Sequence, residues 1–170
     1  KVSINFGFPH LDKTNIRYNK NLKGGATLDA GAYVLSCSTE LFGNNYVLLA
    51  KKIYKDGIVA KNIDTGGNAF LDYGSFIVSC NWFFGASYQN SISIWFEDAV
   101  LEANMFFSKP ESIQPNLKIY KNYELINSIP IKKENHFKNM FDYFLSIEPN
   151  LQKVEMKREE KNINLLEKIL

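Results

Sequence analysis

The chain has 170 residues, enough for one domain or for one domain with an appendage. Its 45% hydrophobic and 22% charged residues are ordinary for a globular protein and exclude wholesale disorder. The formal net charge of +2 gives no reason to expect nucleic acid, and no apolar run reaches the roughly 18 residues that a membrane span needs.

Turn residues separate short apolar runs through the first two thirds of the chain. Gly24 and Gly25 mark a break, and Asp56-Gly57 predicts a hairpin turn because this pair accepts positive φ values. Strands at such spacing predict an all-β fold, an antiparallel, jelly-roll-like β-sandwich over residues 1–120. The predicted strands cover residues 2–8, 33–38, 46–54, 58–63, 69–71, 75–84, 91–96 and 100–107.

A ten-residue segment occurs twice in this region, at residues 28–37 and again at 71–80, with five identical positions. Each copy opens on Leu-Asp-x-Gly, a corner that predicts a chain reversal because glycine supplies backbone freedom. The residues after the corner alternate in character, as in a half-buried strand. Asp29 and Asp72 are expected to close these turns by accepting backbone hydrogen bonds, with a structural calcium site as the alternative.

The period-two spacing also predicts which side chains lie between the two sheets. Cys37 and Cys80 occupy equivalent apolar positions, so we expect buried free thiols, with a cross-sheet disulfide as the alternative. The predicted core contains Tyr33, Leu35, Phe76, Val78, Cys80, Ile92, Ile94 and Phe96.

The sequence changes character after Pro110, where an extended segment leads into a helical C-terminal extension over residues 121–170. Apolar residues at helical spacing predict a helix that ends before Pro149, and Asn150 is suited to cap a second helix. These helices either pack on the sandwich and on each other or serve in oligomerisation. The apolar stripe of the first helix consists of Phe137, Met140, Phe141, Phe144 and Leu145.

The chain offers few groups for catalysis. His10 and His136 are far apart and are expected to be surface or packing residues. Glu97 and Asp98 are adjacent, so on a strand they point to opposite faces and cannot flank one bond. There is no zinc-type spacing and no glycine-rich phosphate loop. The sequence therefore predicts no catalytic residue, no metal, no cofactor and no enzymatic activity.

Three aromatic residues are candidates for stacking on a sugar. Trp95 and Phe83 fall out of phase with the apolar faces of their strands, and Tyr88 lies in the loop between those strands. Flat aromatic faces beside hydroxyl and amide groups suit sugar rings, whose C–H groups stack on them. The alternative is that the helical extension or another subunit covers this face.

The first repeat, Leu28-Asp-Ala-Gly-Ala-Tyr-Val-Leu-Ser-Cys37, resembles a strand of the carbohydrate-binding-like sandwich modules of phage tail, tail-fibre and baseplate proteins. Residues 69–72 look like the acidic corner of that family, and residues 104–120 look like its closing segment. The resemblance implies a virion tail protein that is assembled in the host cytoplasm, with the cell surface or secretion as the alternative location.

We therefore expect a non-enzymatic phage tail or baseplate module that serves host recognition by binding surface carbohydrate. The alternative is a structural virion assembly module whose aromatic face and C-terminal helices dock onto other subunits. The expected partners are a glycan or other virion subunits within a homo-oligomer, with no nucleic acid and no membrane span.

Overall fold

The computed structural model describes residues 1–55 and 63–170, and the turn and strand predicted around residues 56–62 lie outside these ranges. Among the described residues, eight strands form one sheet, and helical segments pack on one of its faces. The strands are β1 (Val2–Phe8), β2 (Val47–Tyr54), β3 (Gly66–Asp72), β4 (Ile77–Phe84), β5 (Gln89–Trp95), β6 (Val100–Asn104), β7 (Asn116–Lys121) and β8 (Glu124–Pro130). The helical elements are 3-10 turns at Ile16–Tyr18 and Lys20–Leu22, a π-helical turn at Thr27–Gly31, and helices α1 (Ala32–Phe42), α2 (His136–Ser146) and α3 (Pro149–Ile169).

The sheet has the strand order β2-β3-β4-β1-β5-β6-β7-β8. At its centre β1 runs parallel to β4, with Ile4 beside Cys80, and antiparallel to β5, with Ile4 beside Ile92. The other neighbouring strands are antiparallel. The prediction of an all-β, jelly-roll-like β-sandwich is therefore wrong. The fold is α/β, with a single mixed sheet covered by helices on one face. The prediction failed because the first repeat forms a helix and not a strand.

The first repeat is helical because its buried residues recur at helical spacing. Ala30, Val34 and Ser38 are each four residues apart and fully buried. Gly31 lets the helical segment lie close against the sheet, since a Cβ at this position would be 3.1 Å from the Trp82 ring. The periodicity of this segment is therefore that of a helix packed on a sheet.

The second repeat keeps the predicted turn and strand. Gly74 has φ of 86°, a left-handed conformation that favours glycine, and its N–H donates to Asp72 Oδ1 at 2.8 Å. From Val78 to Phe84 the strand alternates buried and half-buried residues, as predicted. The turn-closing role predicted for Asp72 is thus confirmed.

The core lies between the sheet and the helical segments, not between two sheets. Tyr33 is exposed because it lies on the outward side of α1, and Phe96 is exposed because β5 ends before it. The eight predicted core residues fall into three groups: Leu35, Val78, Cys80 and Ile92 are buried, Phe76 and Ile94 are half-buried, and Tyr33 and Phe96 are exposed.

The C-terminal region confirms the two predicted helices but not all of their limits. The sheet extends past residue 120, since β7 and β8 form a hairpin that ends at Pro130. Helix α2 ends at Ser146, before Pro149, as predicted. Pro149 itself begins α3 with Glu148 at the N-cap, so the cap predicted at Asn150 is wrong.

Helix α3 docks on α1 through its C-terminal half, where Leu165 and Ile169 are buried. The Thr39 hydroxyl donates to Asn162 Oδ1 at 2.6 Å, and Lys51 Nζ donates to the Ile169 carbonyl at 2.9 Å. Helix α2, in contrast, has no buried residue. No helix of the described residues has the length and apolar character to cross a membrane.

Candidate functional site

The carboxyl ends of the parallel strands β1 and β4 meet at one edge of the sheet, the place where open α/β sheets commonly bind ligands. After β1 the chain makes two 3-10 turns, passes through Gly24 and Gly25, and enters the π-helical turn before α1. π-Helical turns are rare in proteins, and those that occur are often found at functional sites. The candidate site is formed by this connection and the first turns of α1.

A buried hydrogen-bond network fixes the start of the helical segment on the sheet. Thr27 donates to Asp64 Oδ2 from its N–H at 2.6 Å and from its hydroxyl at 2.7 Å. Trp82 Nε1 donates to Thr27 Oγ1 at 3.0 Å, and the Ala26 N–H donates to the Asp64 carbonyl at 3.0 Å. The residues that follow Thr27 are therefore held in place by Asp64, just before β3, and by Trp82, near the end of β4.

Asp29 lies in the π-helical turn and forms an ion pair with Arg17, whose Nε is 2.7 Å from Asp29 Oδ2. The backbone positions Arg17: Asn15 Oδ1 accepts from its N–H at 3.1 Å, and the Gly25 N–H donates to its carbonyl at 2.9 Å. Gly24 is required here because a Cβ would be 2.5 Å from the Arg17 carbonyl oxygen. Asp29 therefore pairs with a neighbouring side chain, and the turn-closing role predicted for it is wrong.

Tyr33 follows Asp29 by one helical turn and lies on the same side of the helical segment. Edge-to-face contacts hold its ring, with centroid distances of 5.1 Å to Phe6 and 5.9 Å to Phe107. The side chain is 45% exposed, and within residues 1–55 and 63–170 its hydroxyl makes no hydrogen bond. A phenol held in this way can donate a proton or a hydrogen bond to a ligand.

A groove of about 400 Å³ opens beside Tyr33, between α1 and the segment that follows β6. Its volume lies within the range of small-molecule sites. Asn90 fixes the second wall, since its Oδ1 accepts from the Phe107 N–H at 2.8 Å and its Nδ2 donates to the Ser108 carbonyl at 2.7 Å. The mostly apolar lining consists of Ala32, Tyr33, Ser36, Cys37, Glu40, Leu41, Phe106 and Phe107.

Both cysteines are free and buried, which confirms that prediction. Burial, with a smaller contribution from Glu40, raises the pKa of the Cys37 thiol to about 12. Burial also raises the pKa of the Cys80 thiol. Because the thiolate is the reactive form of cysteine, neither residue is suited to act as a nucleophile at neutral pH. The other polar side chains that line the groove are Tyr33, Ser36 and Glu40. The Arg17–Asp29 pair is outside this lining.

His10 lies at the same edge of the sheet and is exposed, in agreement with the predicted surface role. Its Nδ1 is 3.3 Å from the Tyr18 hydroxyl, which also accepts from the Leu11 N–H at 3.1 Å. In the described part of the chain, no group of three or more histidine, cysteine, aspartate or glutamate residues is placed to hold a metal ion.

The three aromatic residues predicted to stack on sugar do not form one site. Trp95 and Phe83 both lie on the sheet face opposite the helical layer, where Phe83 packs against Tyr54 with ring centroids 5.2 Å apart. Tyr88 precedes β5 and Trp95 ends it, so the two are roughly 20 Å apart at about 3.3 Å per residue. None of the three lines the groove beside Tyr33. Contact of any one of them with a ligand stays a prediction.

The sequence interpretation missed Arg17, Asp29 and Tyr33 as a functional group. The corner and strand predicted over residues 28–37 place Asp29 in a turn and Tyr33 in the core, and so keep the two side chains apart. A signal was present in the spacing of small buried residues every four positions from Ala26 to Ser38. On a helix, this spacing places Asp29 and Tyr33 together on the outward side.

No protein-family model matches the chain. Over 120 residues it is 28% identical to dTDP-3,4-didehydro-2,6-dideoxy-alpha-D-glucose 3-reductase of Streptomyces violaceoruber, covering 69% of the chain and 34% of that enzyme. The fold is similar to KijD10, a 3-ketoreductase of Actinomadura kijaniata solved with NADP and TDP-benzene, with TM-score 0.77 and 20% identity over 84% of this chain and 43% of that one. It is also similar to aldose-aldose oxidoreductase of Caulobacter crescentus, with TM-score 0.73 and 17% identity over 99% of this chain and 51% of that one.

The chain thus spans about a third of the curated relative and about half of these two solved proteins. The similarity nevertheless overturns several predictions. The assignment to phage tail carbohydrate-binding modules is wrong, and so are the host-recognition function and the virion location, since the matching proteins are reductases and oxidoreductases. The expectation that the protein is not an enzyme is wrong for the same reason. Of the three segments that carry the misleading resemblance, residues 28–37, 69–72 and 104–120, the first forms a helix instead of the expected strand.

Proposed function

We propose that this chain is the substrate-binding half of an NADP-dependent ketoreductase of the Gfo/Idh/MocA type, which reduces a keto group on a nucleotide-linked deoxy sugar. The observation that carries the proposal is Tyr33, which lines a ligand-sized groove and follows Asp29 of the Arg17–Asp29 pair by one helical turn. The reductase activities named for the curated relative and for the two similar structures support this assignment.

Reduction of a ketone to an alcohol adds a hydride to the carbonyl carbon and a proton to the carbonyl oxygen. Tyr33 is the group suited to supply the proton, because its ring is fixed by Phe6 and Phe107 and its side chain lines the groove. A hydrogen bond from the same hydroxyl would also stabilise the negative charge that develops on the carbonyl oxygen.

The Arg17–Asp29 pair would orient the sugar. Asp29 can accept hydrogen bonds from sugar hydroxyls, and Arg17 uses only its Nε in the ion pair. Within the described residues its terminal nitrogens make no hydrogen bond, so they are suited to donate to a hydroxyl or a phosphate oxygen. The apolar walls at Leu41 and Phe106 would contact carbons that lack hydroxyl groups.

The residues of this chain do not fit a dinucleotide. The sequence contains no G-x-G-x-x-G, and the N–H of Thr27 at the start of the helical segment already bonds to Asp64. A helix N-terminus engaged by its own carboxylate cannot also cradle a pyrophosphate. In the proposed enzyme, NADP is therefore held by residues outside this chain, in the part of the protein that corresponds to the remainder of its relatives.

The test is reduction of a dTDP-linked 3-keto sugar by the protein at its natural length, followed as NADPH oxidation. Tyr33→Phe should lower kcat by about 10²- to 10⁴-fold, the usual contribution of a general acid, with little change in stability. Tyr123→Phe is the matched control, because this tyrosine is fully exposed in the β7–β8 turn. If kcat of Tyr33→Phe equalled that of the wild type, Tyr33 would not be the proton donor. If the wild-type protein reduced no such sugar, the proposed function would be refuted.

A further inference from the structure

Asp64 is a buried carboxylate for which the proposed reduction has no direct use. It lies just before β3, is 8% exposed, and accepts hydrogen bonds at Oδ2 from both the N–H and the hydroxyl of Thr27. Gly25 leaves room for this carboxylate, because a Cβ at Gly25 would collide with Asp64 Oδ1. Burying a carboxylate is costly unless hydrogen bonds satisfy it, so Asp64 and Thr27 hold each other in place.

Trp82 reaches the same π-helical turn from β4. Its Nε1 donates to the Thr27 hydroxyl at 3.0 Å, so this hydroxyl connects Trp82 with Asp64. The Trp82 ring is fully buried and packs against Gly31, where a Cβ would be 3.1 Å from the ring. Thr27 and Gly31 are the first and last residues of the turn. Both ends of the π-helical turn are therefore fixed on the sheet.

The π-helical turn sets the register of α1. The hydrogen bond that closes it runs from the Ala32 N–H to the Thr27 carbonyl, five residues back, whereas an α-helical bond spans four residues. If the turn relaxed to α-helical geometry, α1 would shift by one residue, which is a rotation of about 100° about its axis. Tyr33 lies two residues after the turn, so this rotation would carry its ring away from Phe6 and Phe107. The contacts that hold the turn thus determine the position of the Tyr33 ring.

We propose that Asp64 is a positioning residue of the active site, which holds the π-helical turn through Thr27 and thereby keeps Tyr33 along the groove. Asp64 needs no contact with the substrate for this task, and Trp82 supports the turn from the neighbouring strand. The catalytic part of this inference rests on the proposed function. The structural part does not, because the position of Tyr33 can be measured without any substrate.

Fluorine NMR of the full chain labelled with fluorotyrosine measures that position, with the Tyr33 signal identified by its loss in Tyr33→Phe. The rings of Phe6 and Phe107 lie close enough to shift this signal through their ring currents. In Asp64→Ala the signal should move toward that of a solvent-exposed tyrosine, because both Thr27 donors lose their acceptor. Asp64→Asn should leave the signal in place, since one amide oxygen can accept both bonds.

Asn162→Ala is the matched control for these variants. It removes another buried hydrogen bond of α1, the one that the Thr39 hydroxyl donates to Asn162 Oδ1 at 2.6 Å, and it leaves the π-helical turn intact. The Tyr33 signal should therefore not move in Asn162→Ala. If Asp64→Ala does not fold, as judged by circular dichroism, Thr27→Val gives the same test, because it removes only the hydroxyl that joins Asp64 and Trp82.

Kinetics of keto-sugar reduction by the protein at its natural length tests the catalytic part. Asp64→Ala should lower kcat by up to about 10²-fold, the usual effect of misplacing a reacting group by about 1 Å. Because Asp64 acts through Tyr33, the double variant Asp64→Ala/Tyr33→Phe should have kcat within about twofold of Tyr33→Phe alone. A residue with a merely structural role would instead lower kcat of Tyr33→Phe by its own full factor.

Two results would overturn the proposal. One is an unchanged Tyr33 signal in Asp64→Ala, or in Thr27→Val if that variant takes its place. The other is a loss of kcat in Asp64→Ala that multiplies with the loss in Tyr33→Phe. If the wild-type protein reduced no keto sugar, the proposed function would fail, and the NMR comparison would still decide whether Asp64 positions Tyr33.

Discussion

Residues 28–37 and 71–80 share half of their positions and yet adopt different secondary structures. The first copy forms a π-helical turn and the start of α1, whereas the second forms the end of β3, a turn and the first half of β4. The flanking residues make the difference. The first copy lies between Ala26 and Thr39 in a stretch with buried positions every four residues, and the second continues into the alternating Trp82 and Phe84. The periodicity of a longer segment therefore predicts buried residues more reliably than a ten-residue pattern within it does.

Equivalent positions consequently have different tasks. Asp29 pairs with Arg17, whereas Asp72 closes its own turn. Gly31 is needed because the Trp82 ring lies close to it, whereas Gly74 is needed because its φ is positive. The strand copy contributes Val78 and Cys80 to the core. The helical copy also places Tyr33 and Ser36 along the groove.

The largest expected difference between the copies concerns their leucines. Leu71 is fully buried, so Leu71→Ala should lower the free energy of unfolding by about 2–5 kcal/mol. Leu28 is 41% exposed, so Leu28→Ala should cost less than about 1 kcal/mol. Urea unfolding of the two variants measures the contrast. Equal losses would mean that the first copy is buried as deeply as the second, in conflict with this structure.

The two cysteines should behave alike, because burial raises the pKa of both thiols. In the folded state the thiols keep their protons, whereas unfolded thiols ionise above their ordinary pKa of 9.0. High pH therefore favours unfolding. The contribution of the buried thiols to the free energy of unfolding is fully present below pH 9.0 and is lost progressively as the pH rises toward about 12. Each thiol should contribute a slope of about −1.4 kcal/mol per pH unit to the free energy of unfolding in this window.

Urea unfolding between pH 8 and pH 10 tests this slope in wild type and in the Cys37→Ala/Cys80→Ala double variant. Lysines and tyrosines titrate in both proteins, so the difference between the two slopes isolates the thiols. Identical slopes would show that the thiols are accessible to water in the folded state. Single variants then tell whether the helical copy and the strand copy protect their cysteines equally.

The smallest expected effect concerns the stability contribution of the two aspartates. The Arg17–Asp29 pair is partly exposed, and such pairs contribute about 0–1 kcal/mol, so Asp29→Asn should cost less than about 1 kcal/mol. Asp72→Asn should be nearly neutral, because an asparagine Oδ1 can still accept from the Gly74 N–H. Activity should separate them, with kcat/KM reduced in Asp29→Asn and unchanged in Asp72→Asn. If kcat/KM were instead reduced in Asp72→Asn and unchanged in Asp29→Asn, Asp29 would not belong to the active site.

Parts of the fold were predictable from sequence because they depend on near neighbours in the chain. Strands β1, β4 and β5 follow from strict alternation, and helix α2 follows from the stripe that begins at Phe137 and is ended by Pro149. The exposure of Trp95 and the burial of Cys80 follow from the same alternation. The candidate site was not predictable in this way, because Arg17 and Asp29 meet only once the segment after β1 folds back on the π-helical turn.

The sequence by itself determined the alternating burial along β4, the turn at Gly74 and that both cysteines are small core residues. These properties are set by side-chain chemistry and by the local backbone. Only the tertiary structure decided that the first repeat is a helix, that β1 pairs in parallel with β4, and that Tyr33 faces a groove. The physical reason is that a segment with a mixed pattern adopts whichever conformation buries its apolar side against the rest of the molecule, here the face of the sheet around Trp82.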